Sequence, residues 1–215
     1  ERVGRHSTAA GRSVIREIQA KTLLSHSKVP DPWFGIKYTM NLYRGCQHQC
    51  IYCDSRSECY QIENLADILV KVNAIELLDR ELASKRTVGT VGTGSMNDPY
   101  MPVEATIGLT RRALQVLVKR MFPVHVITKS ALVLRDADLL TEISRVYAAV
   151  SFTITTVDDE LGMRLEPGAS LVSERLAAMA ALSASGILTG VTMMPILPYI
   201  EDTRANITAI IERAS

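Results

Sequence analysis

IKYTMNLYRGCQHQCIYC, residues 36–53, places an alternating, largely apolar run directly before three cysteines, Cys46, Cys50 and Cys53. Residues 36–43 read as a strand and the cysteines as the loop that leaves it. The fourth cysteine, Cys59, follows six positions after Cys53, so every thiol of the 215-residue chain lies in one short segment.

Working outward, the same order of strand, loop and helix recurs. TVGTVGT (87–93), VHVITK (124–129), YAAVSFTIT (147–155) and ILTGVTMMPIL (187–197) read as further strands. NLADILVKVNAIELLDRELASK (64–85) reads as a helix with Leu65, Ile68, Leu69, Val72, Ile75, Leu78 and Leu82 on one stripe. Helices are also expected over 104–120, 136–146, 171–185 and 203–213. Five successive strand-then-helix units imply parallel strands joined by right-handed crossovers. The strands are apolar at nearly every position, as in a sheet covered on both faces. The expected fold class is α/β, an open sheet or a partial (β/α) TIM-like barrel of five to six units. A closed eight-unit barrel needs ~250 residues.

Residues 1–35 stand apart as an N-terminal extension, in which RSVIREIQAKTLL (12–24) reads as a helix with Val14, Ile15, Ile18 and Leu23 on one side. The core domain is expected over 36–215. The chain opens on Glu1 and stops at Ser215 inside a helical pattern, so further functional residues are expected beyond its ends, at least a sixth strand among them. Apolar residues make up 47% and charged residues 22%, with a formal net charge of +1. That balance supplies no global field for nucleic acid or an anionic membrane. The richest apolar segment, ILTGVTMMPILPYI (187–200), is broken by Gly190, Pro195 and Pro198, and residues 1–20 lack the apolar core of a secretory signal.

In α/β sheets ligands sit at the carboxyl ends of the strands. The cysteine loop is at that edge, with TGSMNDPY (93–100), Thr128 to Ser130, Thr155 to Glu160 and the stretch from Met194 onward. Four readings of the thiols compete. A disulfide framework has nothing distant to staple. Cys50 and Cys53 have the spacing of a thioredoxin-type redox pair. Cys46, Cys50 and Cys53 with His48 or Cys59 would make a four-ligand zinc site. An iron–sulfur cluster takes one iron per thiolate, and three thiolates on four irons leave one iron open to chemistry.

The C-x3-C-x2-C spacing, with the aromatic Tyr52 just before the third cysteine, resembles the signature of the radical S-adenosylmethionine (SAM) enzymes. RGCQHQCIYC, NDPYMPVE (97–104), VITKS (126–130) and GVTMMPILP (190–198) are together similar to the spore-photoproduct-lyase-like, DNA-repair-photolyase-related branch, over about residues 36–215. The resemblance implies a [4Fe-4S] cluster on Cys46, Cys50 and Cys53, whose fourth iron is chelated by S-adenosyl-L-methionine. One electron then cleaves the sulfonium to a 5′-deoxyadenosyl radical, which abstracts hydrogen from a substrate. It implies that Tyr52 lies at the adenine, and that Thr93, Gly94, Ser95, Asn97 and Asp98 form the segment for the methionine amino group. Lys129 would face the methionine carboxylate, Ser151 would lie near the same ligand, and strand 187–195 would run along the adenine. An external one-electron reductant such as flavodoxin or ferredoxin is implied, and a cytoplasmic location in which thiols stay reduced.

The bland readings run alongside. Asp98 before Pro99 suits a turn, and Lys129 a solvated loop. His48 reads as a loop residue beside the cluster, Cys59 as a bystander, Trp33, Met193 and Met194 as packing, and Asp158 to Glu160 and Glu201–Asp202 as solvated charges. One departure is plain. Spore photoproduct lyases proper carry a hydrogen-donor cysteine just after the second strand, where this chain has Ser95 and Met96. A serine O–H bond is too strong to replace a thiol there, so repair of thymine photoproducts by that route is not expected. The substrate is left open. The alternative from another class is a zinc-stabilised binding module built on the same cysteine loop.

Overall fold

The computed structural model describes residues 4–5, 14–29, 31–60 and 64–215. The chain begins with strands β1 (Gly4–Arg5), β2 (Val14–Ile18) and β3 (Leu24–His26). Strands β4 (Ile36–Met40) and β5 (Tyr43–Arg44) lead into the cysteine loop; β6 (Ile68–Lys71), α1 (Ala74–Ala83) and β7 (Thr90–Thr93) follow it. Next come α2 (Glu104–Ile107), α3 (Leu109–Arg120), β8 (Val124–Thr128), α4 (Ala137–Ile143) and β9 (Ala148–Thr153). The chain closes with α5 (Asp159–Leu165), α6 (Val172–Ala184), β10 (Leu188–Thr192) and α7 (Arg204–Ala214).

The main sheet has six strands in the order β10-β9-β8-β7-β4-β3. Its pairs are parallel, with Val126 opposite Val150 and Ser151 opposite Gly190, except that β3 joins β4 antiparallel. This mostly parallel, open α/β sheet is the architecture expected of a partial (β/α) barrel. Val124, Val126, Val150 and Phe152 point to one face and meet Leu114, Leu117, Leu140 and Leu182 from the helices. Each such buried side chain stabilises the fold by about 1.5–3 kcal/mol. Residues between them in sequence, His125, Ile127, Ala149 and Ser151, face the other side, because side chains alternate along a strand.

Three expected helices differ. The described part of 12–24 forms β2 and β3, and Arg12 and Ser13 lie outside the described residues. The first half of 64–85 forms β6, and only the second half is helical. The cause is mutual pairing: β2 runs parallel to β6, with Ile15 opposite Ile68, in a second sheet of order β1-β2-β6-β5. Branched side chains at Val14, Ile15, Ile18, Ile68 and Val70 suit a strand better than their spacing suits a helix. The helix expected over 104–120 is split at Gly108, whose φ of 66° caps α2 and starts α3. Helix α5 was unexpected; Asp158 caps it by accepting from the Glu160 and Leu161 amides.

Antiparallel pairing of β5 with β6, Tyr43 opposite Val70 and Arg44 opposite Leu69, pinches the cysteine loop at its base. The Tyr43 hydroxyl donates to the Glu104 carboxylate, which Arg135 also holds at 2.7 Å, so the loop's root is tied to α2. Among the described residues no helix is long and apolar enough to cross a membrane.

Candidate functional site

The loop starts with a turn that only glycine makes. Gly45 has φ +86°, and a Cβ there would lie 2.1 Å from Asp67 O. Cys46 N donates to Leu65 O at 2.8 Å, and Cys53 N to Cys50 O at 3.2 Å. Arg56 braces the turn from below, donating to the Cys50 and Gln49 carbonyls at 3.2 and 3.1 Å. All four thiols are free: Cys46 and Cys50 are buried, Cys53 is half-buried and Cys59 is exposed.

Burial pushes the Cys46 thiol up to about 12, reinforced by the nearby Asp98 carboxylate and opposed by the Asp98 and His48 amides. Burial likewise takes Cys50 up to about 11, against the pull of Lys129. Without a cation these sulfurs hold their protons at neutral pH. Soft metal centres displace such protons and become the counter-charge.

His48 lies between the first two cysteines and ties the loop outward. Its Nδ1 donates to Gly168 O at 2.7 Å, and its carbonyl accepts from Gly168 N at 2.9 Å. Gly168 packs so tightly that a Cβ would lie 2.0 Å from Gln47 O. On the other side His48 Nε2 lies 3.0 Å from Asp98 Oδ2, an ion pair when both ring nitrogens carry protons. Asp98 Oδ1 also accepts from Tyr100 N (2.8 Å) and Thr128 Oγ1 (2.7 Å), and Oδ2 from Lys129 N (2.6 Å). Burial alone would raise this carboxyl, but His48, the Lys129 amide and the Thr128 hydroxyl hold it at about 2.

The rest of the segment after β7 divides. Asn97 Nδ2 is spent on Tyr43 O at 2.6 Å. Gly94, at φ +88°, makes room for Ile127 O, which a Cβ would approach to 2.3 Å. Ser95 is exposed. Thr93 is 5% exposed and its Oγ1 has no hydrogen-bond partner among the described residues. A buried hydroxyl without a partner is costly, and it fits a polar group brought by a ligand.

At the end of β8, Lys129 Nζ lies 5.8 Å from the centre of the Tyr52 ring. The Tyr52 hydroxyl donates to Glu166, whose other oxygen lies 2.5 Å from Arg175 Nη1. Burial and the Glu166 carboxylate raise the Tyr52 hydroxyl, so it remains a donor. Arg175 also bonds Ser170 O and Thr153 O, at 2.9 and 3.0 Å. Ser151 Oγ lies 2.8 Å from His125 Nε2, on which Phe34 stacks at 3.8 Å between ring centres. Burial lowers His125 to about 4, so its ring is neutral at pH 7.

The structure thus gathers Cys46, Cys50, Tyr52, Asp98 and Lys129 along one edge, while Ser151 faces His125 on the sheet. Glu166, Arg175 and the bridging role of His48 were not foreseen; an arginine inside the Ala- and Leu-rich α6 was their only local sign. Glu201 is fully buried rather than solvated, its Oε2 accepting from Leu197 N at 3.2 Å. Trp33 and Met194 do not pack; they are 86% and 67% exposed. Met193 does lie against the core.

The donor set suits a cluster and a nucleotide. Three thiols share one loop, a lysine ammonium stands beside them, and the Thr93 hydroxyl is unpartnered. Among the described residues no three His, Cys, Asp or Glu side chains converge on a single metal ion. A cubane needs no such convergence, since each thiolate takes its own iron.

A family model described as the Radical SAM superfamily matches residues 40–209. The chain is 33% identical over 191 residues to the uncharacterized protein MJ0683 of Methanocaldococcus jannaschii, covering 87% of this chain and 70% of that one. It is 31% identical over 198 residues to the uncharacterized protein Rv2578c of Mycobacterium tuberculosis, covering 88% and 58%. A protein named Radical SAM Nalpha-GlyT isomerase, of Pseudomonas phage M6, is 25% identical over 198 residues, with coverage of 92% and 39%. In fold, the chain matches spore photoproduct lyase complexed with dinucleoside spore photoproduct, with a TM-score of 0.66 at 19% identity, over 86% of this chain and 52% of that one.

Proposed function

This chain belongs to the Radical SAM superfamily, and on that premise we propose that it is a radical enzyme that holds a [4Fe-4S] cluster on Cys46, Cys50 and Cys53 and binds S-adenosyl-L-methionine beside it. The cluster, when bound and reduced, supplies the electron that splits the sulfonium to a 5′-deoxyadenosyl radical able to take hydrogen from a substrate. The observation that carries this reading is the meeting of the buried Cys46 and Cys50 with Lys129 and Tyr52 at the carboxyl edge of a mostly parallel sheet.

The chain's own residues divide the work. The glycine turn at 45 and the Arg56 brace shape the thiol loop. Lys129 faces the methionine carboxylate, and its aliphatic stem and the Tyr52 ring flank the nucleotide. The Thr93 hydroxyl meets a polar atom of the same ligand, and the Ser95 side chain is free to do so. Ser151, oriented by His125, lines the inner face. Burial at this edge keeps water from the reacting atoms.

Iron would enter reduced thiols, so a reducing compartment such as the cytoplasm is part of the proposal, as is an external reductant of the flavodoxin or ferredoxin kind. The loop after β7 has no cysteine, and Ser95 and Met96 stand there. Hydrogen return to a product radical from a thiol of that loop is therefore not part of the scheme. The near-neutral net charge lends no support to an extended nucleic-acid track, and the substrate, nucleic acid included, is left open.

Anaerobic reconstitution with ferrous ion and sulfide tests the reading. Uptake of about four irons, and release of 5′-deoxyadenosine on reduction with S-adenosylmethionine, is the expected result. Colourless protein with one tightly held zinc would overturn it in favour of a binding module, and a reversible Cys50–Cys53 disulfide without metal would favour a thiol redox protein.

A further inference from the structure

Asp98 sits where the family resemblance places the methionine ammonium, yet its carboxylate is already engaged. Two carboxylate oxygens offer about four acceptor positions. Tyr100 N, Thr128 Oγ1 and Lys129 N fill three, and the His48 ring occupies the fourth side. The side chain is 7% exposed, so an incoming ammonium would have to displace buried partners to reach it.

Tyr100 N closes a local turn, Thr128 and Lys129 lie at the end of β8, and His48 leads to the thiols. His48 is two residues from Cys46 and two from Cys50, and its far nitrogen is anchored on Gly168 O. The backbone N–H groups of Asp98 and His48 both direct hydrogen bonds at the Cys46 sulfur. Hydrogen bonds to a ligating sulfur, and charges near it, are among the levers that set a cluster's potential.

We propose that Asp98 is a positioning residue on the cluster side of the site: through His48 and through its own backbone N–H it fixes Cys46 against the end of β8, and it does not hold the nucleotide's ammonium. Asp98 and His48 act as one clamp, and the ammonium is met by other groups of the 93–97 segment. This rests on the cluster reading given above.

Two sets of measurements decide it. In cluster-free reduced protein, alkylation followed by mass spectrometry reads each thiol separately. Asp98→Asn and, independently, His48→Gln each speed alkylation of Cys46 by about tenfold, through local opening of the loop, while exposed Cys59 reacts at its wild-type rate. The double variant reacts no faster than the quicker single, because both residues act through one contact. In reconstituted protein, Asp98→Asn raises the cluster midpoint by about 59 mV, a tenfold change in the one-electron equilibrium, since an anion beside the ligand loop is lost. Its affinity for S-adenosylmethionine changes by less than about threefold, well short of the loss of a charged hydrogen bond.

Unchanged Cys46 alkylation in both variants overturns the proposal. So does a tenfold or larger loss of S-adenosylmethionine affinity at an unmoved midpoint, which would make Asp98 the ammonium's partner. If wild-type protein takes up no iron, the functional reading fails, yet the alkylation rates still decide whether Asp98 and His48 hold Cys46.

Discussion

Arg175 Nη1 lies 2.5 Å from Glu166 Oε2, with both side chains almost wholly buried, and the other oxygen of Glu166 receives the Tyr52 hydroxyl. A helix on one layer is thereby joined to the residue that precedes the third cysteine. Such a pair costs most when only one partner is removed, because the other is left as a bare buried charge.

Arg175→Met is accordingly expected to destabilise the fold by about 3–5 kcal/mol. Glu166→Gln, which retains an acceptor for Tyr52, costs less. The double variant costs less than the two singles summed. Urea unfolding midpoints of the three proteins check the order.

Thr93→Val removes a hydroxyl that has no internal partner. The variant keeps the shape of the side chain, so stability is unchanged or rises by about 1 kcal/mol. Affinity for S-adenosylmethionine falls by about tenfold if the hydroxyl meets the ligand. Unfolding curves set beside equilibrium dialysis separate the two effects.

Gly168→Ala and Gly190→Ala form a contrasting pair. A Cβ at 168 would lie 2.0 Å from Gln47 O, whereas one at 190 meets nothing within 4 Å. The first substitution is expected to cost more than about 2 kcal/mol and to displace the thiol loop. The second is neutral or slightly stabilising. Soluble yield, unfolding midpoint and iron content after reconstitution read both.

His125 is buried in its neutral form and held at about 4, below its ordinary 6.5. The unfolded chain takes up the proton more readily, so stability is full above pH 6.5 and is lost as the pH falls from there towards 4. The slope approaches about 1.4 kcal/mol per pH unit in that window. Asp98, held at about 2, adds its own loss only below about pH 4. His125→Gln keeps a donor for Ser151 and flattens the upper part of the profile, which urea midpoints measured from neutral to acid pH would show.

Much of the architecture was legible because β7, β8, β9 and β10 are largely apolar runs set between helices, and β4 alternates just before the cysteine loop. β2 and β6 were not, because their apolar residues also fit a helical stripe. What makes them strands is each other, 53 positions apart at Ile15 and Ile68. The thiols were legible because they are contiguous. Tyr52 and Glu166 are 114 positions apart, and His48 and Asp98 are separated by a strand, a helix and another strand. No local pattern names such partners; only the folded backbone brings them together. Glu201 looked like a loop charge for the same reason, since its burial depends on the packing of the whole 197–206 turn.

The pinch between β5 and β6 has a consequence for metal loading. Pairing of Arg44 with Leu69 brings together the two ends of the segment that carries Cys46, Cys50 and Cys53. Part of the entropy of closing that loop is met by strand pairing before any metal binds. A cluster held by those thiols, as proposed above, would therefore meet a loop whose two ends are already tied, and would lose less of its affinity to ordering the chain.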